Sequence, residues 1–231
     1  MTGKSGRMEE LQNADLAPCF YQLNEKELNL INKKKTQIIY ERGESLCKQG
    51  AFAHHVLYVI EGLVKVYMQT GGKRNINLSI AKQGDFLGFS SVFGNEFYTC
   101  SASSLRESRV CMIDKHALKQ VLMTNSAFAM QITARNYKFE NQLLEIIKNF
   151  SYKQMQGKLA SALCYLSLGE LEFENVFESL TRQDLADFAG ITQESVVKFL
   201  KEFEREGLVK LAGRNIQIID LGRLRMISKN G

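Results

Sequence analysis

Between Thr181 and Val209 the chain reads TRQDLADFAGITQESVVKFLKEFEREGLV, and no other stretch limits so narrowly what this sequence can become. Thr181 is a favourable N-cap, with Asp184 three residues on as a variant of the capping box. Leu185, Phe188 and Ala189 then face inward. Gly190 supplies a tight turn, Thr192 caps a second helix, and Gly207 closes it. At about 100° per residue, Val196, Phe199, Leu200 and Phe203 share one stripe of that helix, while Gln193, Glu194, Val197, Lys198, Lys201 and Arg205 lie opposite. One face packs and the other can read. Gln and Glu can exchange hydrogen bonds with adenine and cytosine edges, and Lys can reach guanine or a phosphate. A merely solvated helical hairpin carries the same mixture of charges. The residues after the second helix separate the two readings: Leu208, Val209, Leu211 and Ile216, Ile218, Ile219 flank Ala212-Gly213-Arg214-Asn215, the pattern of a β-hairpin with a small, basic tip. Helix, turn, helix and wing point to double-stranded DNA.

Charge alone does not make that case. The 231 residues carry a net +5, but Thr181 to Gly231 holds nine Lys and Arg against seven Asp and Glu, so the excess is not concentrated on the reader. The DNA reading rests on geometry. At 45% hydrophobic and 24% charged the chain has ordinary globular composition, sufficient for two domains. No apolar run approaches a membrane span, and Met1 to Leu16 lacks the hydrophobic core of a signal peptide, so a cytoplasmic protein is expected, with no membrane partner. Cys19, Cys47, Cys100, Cys111 and Cys164 show no C-x-x-C spacing, which reads as reduced thiols rather than a disulfide frame.

Upstream, Leu23, Leu28, Leu30 and Ile31 suggest a short leading helix ending at Lys33-Lys34-Lys35. From Gly43 to Gly94 eight glycines punctuate short apolar runs such as Val56 to Ile60 and Leu63 to Met68. Ile76, Leu78 and Ile80 alternate with Asn77 and Ser79, the period of a strand. These features predict an all-β sandwich or barrel. After Gly94 no glycine occurs until Gly157, and the architecture switches near His116. Ser126 to Ser151 reads as one long helix with a coiled-coil seam: Ala129, Asn136, Leu143 and Phe150 at one heptad position, Ile132, Phe139 and Ile146 at the other. Leu144 and Ile147 widen the apolar face enough that one side can serve a partner and another the β domain. Dimerisation would place two reading helices about one DNA turn apart on a palindromic site.

This order of parts resembles the bacterial Crp/Fnr-like regulators over nearly the whole chain. Gly84-Asp85-Phe86-Leu87-Gly88 is similar to the start of that family's cyclic-nucleotide-binding segment. Gly157-Lys158-Leu159-Ala160 is similar to the entry to its DNA-binding domain, and Thr181-Arg182-Gln183-Asp184 with Thr192-Gln193-Glu194-Ser195-Val196 to its reader. The resemblance implies an α+β chain: an amino-terminal β jelly roll (double-stranded β-helix) over 1–115, connecting and dimerisation helices over 116–154, and a winged helix-turn-helix over 155–231. It implies a homodimer, with RNA polymerase as a further partner. By matching positions Arg182 and Gln183 would hold phosphate, and Gln193, Glu194 and Lys198 would address bases. The DNA-contacting set is then Thr181, Arg182, Gln183, Thr192, Gln193, Glu194, Ser195, Lys198 and Lys201.

The departures bear on the effector. In cyclic-AMP-binding members an acidic residue follows the glycine equivalent to Gly88, and an arginine some ten residues later holds the cyclic phosphate. Here those places carry Phe89 and Tyr98-Thr99-Cys100, with no arginine before Arg106. A cyclic phosphate would lack its bidentate guanidinium, so cyclic AMP in the usual mode is not expected. The expected pocket comprises Gly88, Phe89, Ser90, Ser91, Thr99, Cys100, Ser101, Leu143 and Leu144, the two leucines standing where the family uses hydroxyls. Only Cys19 lies where another branch gathers iron-sulfur ligands, so that cluster is not expected either. Haem stays as an alternative, with Cys100, His54, His55 or His116 as iron ligands, and no other metal site is expected. A β-sandwich enzyme of cupin type is the alternative function, though three scattered histidines give it little support.

Overall fold

The computed structural model describes residues 18–71, 75–167 and 169–230. The segment weighed above as a signal peptide lies outside the described residues, as does the side chain of Cys19. The first helix, α1 (Glu25–Lys33), starts at a closed capping box: the Glu27 amide donates to Asn24 Oδ1 at 3.0 Å and the Asn24 amide donates to Glu27 Oε2 at 2.9 Å. There follow β1 (Lys35–Tyr40), β2 (Ser45–Cys47), β3 (His55–Glu61), β4 (Leu63–Gln69), β5 (Asn75–Lys82), β6 (Phe86–Leu87), a 3-10 turn over Phe89–Phe93, β7 (Ser101–Ser104) and β8 (Ser108–Asp114). The strands form two four-stranded sheets, ordered β1-β8-β3-β6 and β2-β7-β4-β5.

Strand β3 shows why this region is layered. Its five central residues, Val56 to Ile60, are all buried, and the two-residue period sorts them. Leu57 and Val59 point between the sheets, against Leu46, Val64, Val66, Ala81, Ala102 and Val110. Val56, Tyr58 and Ile60 point outward, into a second core with Phe20, Ile31, Leu118, Val121, Phe128 and Ile132. Residues of that second core come from α1, from α2 (Lys115–Thr124) and from the start of α3 (Ser126–Tyr152). In β5 Leu78 and Ile80 are buried, and so is Ser79 between them.

Contacts divide the chain into two units, residues 1–69 with 79–141, and residues 70–78 with 142–231. The helix α2 and the first half of α3 therefore belong to the β-rich unit. An ion pair anchors α3 there: Arg135 donates from Nε and Nη2 to Asp85 Oδ1 at 3.2 and 3.1 Å. The other Asp85 oxygen accepts from the Lys82 amide at 2.9 Å, closing the turn that carries Gly84.

One position of the expected α3 seam needs correction. Ile132, expected in a dimer seam, is fully buried in the core of its own chain. Asn136 is half-buried and donates from Nδ2 to the Ile132 carbonyl at 3.0 Å, a bond within its own helix. Leu143 and Ile146 are half-buried, and the Phe139 and Phe150 side chains lie outside the described residues. The exposed apolar residues fall one position later: Met130 at 69%, Tyr137 at 60%, Leu144 at 64% and Ile147 at 60% exposure. Met130, Tyr137 and Leu144 repeat every seventh residue, on the side of the helix opposite Phe128 and Ile132. The sequence pattern could not choose between adjacent registers because both stripes are apolar.

In the second unit α4 (Met155–Leu166), α5 (Val176–Ser179), α6 (Arg182–Ala189) and α7 (Gln193–Arg205) precede a hairpin of β9 (Val209–Ala212) and β10 (Asn215–Ile218), and α8 (Leu221–Asn230) follows it. Leu159, Leu163, Leu185, Phe188, Val196, Leu200, Phe203 and Leu224 are buried. Lys153 joins three segments of this unit. Its Nζ donates to Ser161 Oγ on α4 at 2.7 Å and to Ser228 Oγ on α8 at 3.1 Å.

Two glycines test the fold. At Gly62, φ is +106° and an added Cβ would run into the Ser108 side chain and Cα; at Gly71, φ is +65° with open space around it. Gly62→Ala is expected to cost about 2–4 kcal/mol, combining overpacking with backbone strain, and Gly71→Ala about 1 kcal/mol from strain alone. Urea unfolding checks the order, and equal costs would show that Ser108 yields.

Candidate nucleic-acid interface and effector region

The reading helix is held by caps at both ends of the turn. The Thr181 amide donates to Asp184 Oδ2 at 2.8 Å and the Asp184 amide returns to Thr181 Oγ1 at 3.0 Å, completing the capping box that starts α6. Gly190 ends α6 in the left-handed conformation, φ 64° and ψ 35°. Thr192 Oγ1 then accepts the Ser195 amide at 3.2 Å and starts α7. Val196, Phe199, Leu200 and Phe203 are buried, whereas Gln193, Glu194, Val197, Lys198, Lys201 and Arg205 are exposed. The stripe and its opposite face are as the periodicity predicts. Thirteen residues give α7 about 20 Å of length.

The hydroxyls of the expected DNA set are engaged locally. Thr181 and Thr192 serve as caps, and Ser195 Oγ lies 3.1 Å from Thr192 Oγ1. Lys198 Nζ sits 5.5 Å from the Phe199 ring centroid, and Lys201 is exposed on the same face. Gln183, exposed on α6, donates to Asp187 Oδ1 at 2.7 Å. Arg182 does something the sequence did not announce. Its Nη1 donates to the Arg214 carbonyl and its Nη2 to the Gly213 carbonyl, both at 3.0 Å, so the guanidinium fork holds the wing tip. Burial lowers the Arg182 pKa. The wing turns through Gly213, φ +61°, with Ala212 paired to Asn215. The Arg214 side chain at that tip is exposed.

In the β-rich unit the expected pocket residues divide, Phe89 packing against the outer core and Cys100 against the core between the sheets. Gly88 has φ +68°, and a Cβ there would lie 2.5 Å from Tyr98 Cε1. Tyr98 is seated by its hydroxyl, which donates to the His55 carbonyl at 2.8 Å. Phe89 packs edge-on to Phe93, centroids 5.5 Å apart, and also meets Phe86. Ser90 is half-buried; Ser91 is buried, and its Oγ has no hydrogen-bond partner among the described residues. Thr99 is exposed, and Ser101 Oγ accepts the Gln49 amide at 3.0 Å. Leu143 and Leu144 group with the second unit, Leu144 exposed.

Cys100 has a neighbour that the sequence concealed. Cys47 Sγ lies 3.8 Å from the Cys100 carbonyl oxygen. Burial pushes the Cys47 thiol up to about 12, with Cys100 adding to the rise, and burial raises Cys100 as well. Both thiols are therefore protonated at neutral pH. His54 stacks with Phe52, centroids 6.0 Å apart, and His116 is exposed on α2. Burial lowers the His55 pKa, offset in part by Asp114. Among the described residues no group of three or more His, Cys, Asp or Glu is placed to hold a metal ion.

Residues 37–125 match the cyclic nucleotide-binding domain, and residues 157–227 match the Crp-like helix-turn-helix domain. The chain belongs to the Crp/Fnr family of transcription regulators. This regulator is 25% identical over 202 residues to the CRP-like cAMP-activated global transcriptional regulator of Mycobacterium tuberculosis, covering 84% of this chain and 88% of the other. It is 26% identical over 223 residues to Electron transport regulator A of Shewanella oneidensis, covering 91% and 86%. A crp/fnr-family transcriptional regulator from Eubacterium rectale shares the fold, with TM-score 0.74 at 20% identity over 95% of this chain and all of that one. The family is one of transcription regulators, so the cupin-type enzyme reading is withdrawn. Its helix-turn-helix assigns DNA binding to the second unit. Among the described residues no helix is long and apolar enough to cross a membrane.

Arg182→Lys retains a charge but offers one point donor in place of a fork. Amide exchange across Lys210–Gln217 is expected to quicken while the buried amides of α6 keep their protection. An unchanged wing would show that the hairpin holds its own tip.

Proposed function

We propose that this Crp/Fnr regulator acts in the cytoplasm as a homodimer on a roughly palindromic duplex, with α7 of each copy in the major groove. The observation that carries the reading is the exposed face of α7, where Gln193, Glu194, Lys198 and Lys201 stand opposite a fully packed stripe. Glu194 and Lys198 address base edges. Lys201 and the wing's Arg214 meet phosphates, and Thr181, Gln183, Thr192 and Ser195 set or flank the backbone contacts. Arg182 either takes a phosphate with its remaining donors or acts through the wing it holds. RNA polymerase is the further partner that membership of the family supports.

The dimer forms along Met130, Tyr137, Leu144 and Ile147, the exposed heptad stripe of α3. The effector is not cyclic AMP bound in the family's usual manner. Phe89 follows Gly88 and lies among aromatic rings where an acidic residue would face a ribose, and Tyr98-Thr99-Cys100 offers no guanidinium to a cyclic phosphate.

Glu194→Ala or Lys198→Ala should change which base pairs are preferred, at about 1–3 kcal/mol for each lost bidentate contact, while Lys201→Ala should weaken all sequences alike and reduce the salt slope by about one. Fluorescence anisotropy against a panel of half-site variants reads this; an unaltered preference after Glu194→Ala would remove it from the base-reading set. Leu144→Asp places a charge in the proposed seam and is expected to give a monomer in sedimentation velocity, with binding to full palindromes falling to half-site strength. A dimer that survives the substitution refutes the stripe.

A further inference from the structure

Cys47 and Cys100 stand 53 residues apart in sequence, and the pairing of β2 with β7 brings Cys47 Sγ within 3.8 Å of the Cys100 carbonyl oxygen. The register sets Cys47 opposite Ala102. Cys100 lies two residues before Ala102, just ahead of the strand. Both side chains pack against the same interior cluster, which includes Leu46, Val64 and Ala102. Cys100 belongs to the bend that precedes β7, outside the ladder, and the ladder is itself irregular between Ser45 and Cys47. The thiols can therefore approach without breaking a run of strand hydrogen bonds.

Diagonal neighbours on paired strands sit about 7–8 Å apart, whereas disulfides span about 4.4–6.8 Å between Cα atoms. Closing a bond here draws the Thr99-Cys100 bend toward β2. The next residue back is Tyr98, whose ring lies on Gly88 and whose hydroxyl holds the His55 carbonyl. Gly88 opens the turn that carries Phe89. From there aromatic rings run to α3: Phe89 to Phe86 at 6.3 Å, Phe86 to Phe20 at 5.9 Å and Phe20 to Phe128 at 5.7 Å. A pull on the bend has a packed route to the helix proposed above as the dimer seam.

We propose that Cys47 and Cys100 form a regulatory modification site, a thiol pair closed by exchange with a low-molecular-weight disulfide. Cys100, in the less buried bend, first loses its proton to solvent, and the thiolate so formed attacks one reagent sulfur and releases one reagent thiol, leaving a mixed disulfide on the protein. Cys47 then attacks Cys100 Sγ and displaces the second reagent thiol. Two protein thiols are oxidised, one reagent disulfide is reduced, and the protons lost by the cysteines leave on the two released thiols. This rests on the reading of Gly88 to Ser101 as the sensing region and gives that region a ligand chemistry.

The test treats reduced full-length protein with oxidised glutathione and reads intact mass, cysteine-linked peptides and DNA binding. The expected product is monomeric in denaturant, about 2 Da lighter, and yields a Cys47–Cys100 linked peptide. Cys47→Ser is expected to stop at a single glutathione adduct on Cys100. Oxidised wild type should differ from reduced protein by about tenfold in affinity for a palindromic duplex, reversibly with dithiothreitol, and Cys47→Ser should show no such step. Amide exchange over 86–93 and 126–135 reads the same coupling without DNA. Failure to form the linked peptide, or a linked protein with unchanged exchange and unchanged affinity, overturns the proposal. If the reduced protein binds no duplex, the DNA reading falls separately, and mass and exchange still decide the thiol pair.

Discussion

Strand β3 is covered on both faces, and the layout of the β-rich unit depends on that constraint. Leu57 and Val59 require a second sheet; Val56, Tyr58 and Ile60 require an outer layer, supplied by α1, α2 and the start of α3. A strand with one face in water would need no such layer. Because Phe128 and Ile132 complete the outer core, that side of α3 is committed to its own chain. The Asp85–Arg135 pair then fixes the helix against the turn through Gly84. At φ +88°, with Arg135 Nη2 only 2.8 Å from where a Cβ would lie, Gly84 suits a backbone conformation that other residues rarely adopt.

The second unit solves a different problem, holding an exposed face steady. Its reading helix is amphipathic, and the buried half supplies the stability that leaves the other half free for polar side chains. Thr181, Thr192 and Gly190 set where each helix starts and stops. Arg182 adds a tie across the unit, using a planar fork on two consecutive wing carbonyls. That use and a phosphate contact are compatible, since a guanidinium carries five donors. The clamp makes wing position a property of α6 as well as of the hairpin turn.

The proposed effector region combines local aromatic packing with long-range pairing. Tyr98 lies on Gly88, and Phe89 packs among Phe86 and Phe93. Burial raises both thiols beside them, so little thiolate is present at neutral pH and disulfide exchange, which proceeds through the thiolate, is slow.

Much of this protein was legible in the chain alone. Caps at Thr181 and Thr192, the turn at Gly190, the two faces of α7, the wing about Gly213 and the glycine-punctuated strands are local patterns, set by residues one to four apart. They depend on backbone preferences and on helical or strand period, which sequence displays directly. Tertiary structure decided the rest. Ile132 and Met130 are both apolar members of one helix, and only the position of the outer core shows which one meets its own chain. The partners of Arg182 lie some thirty residues away across a hairpin. Cys47 and Cys100 become neighbours through strand pairing, and the order of strands in a sheet is not written in the spacing of cysteines. In each case the deciding contact joins segments distant in sequence, where period and propensity carry no information and burial of the whole core does.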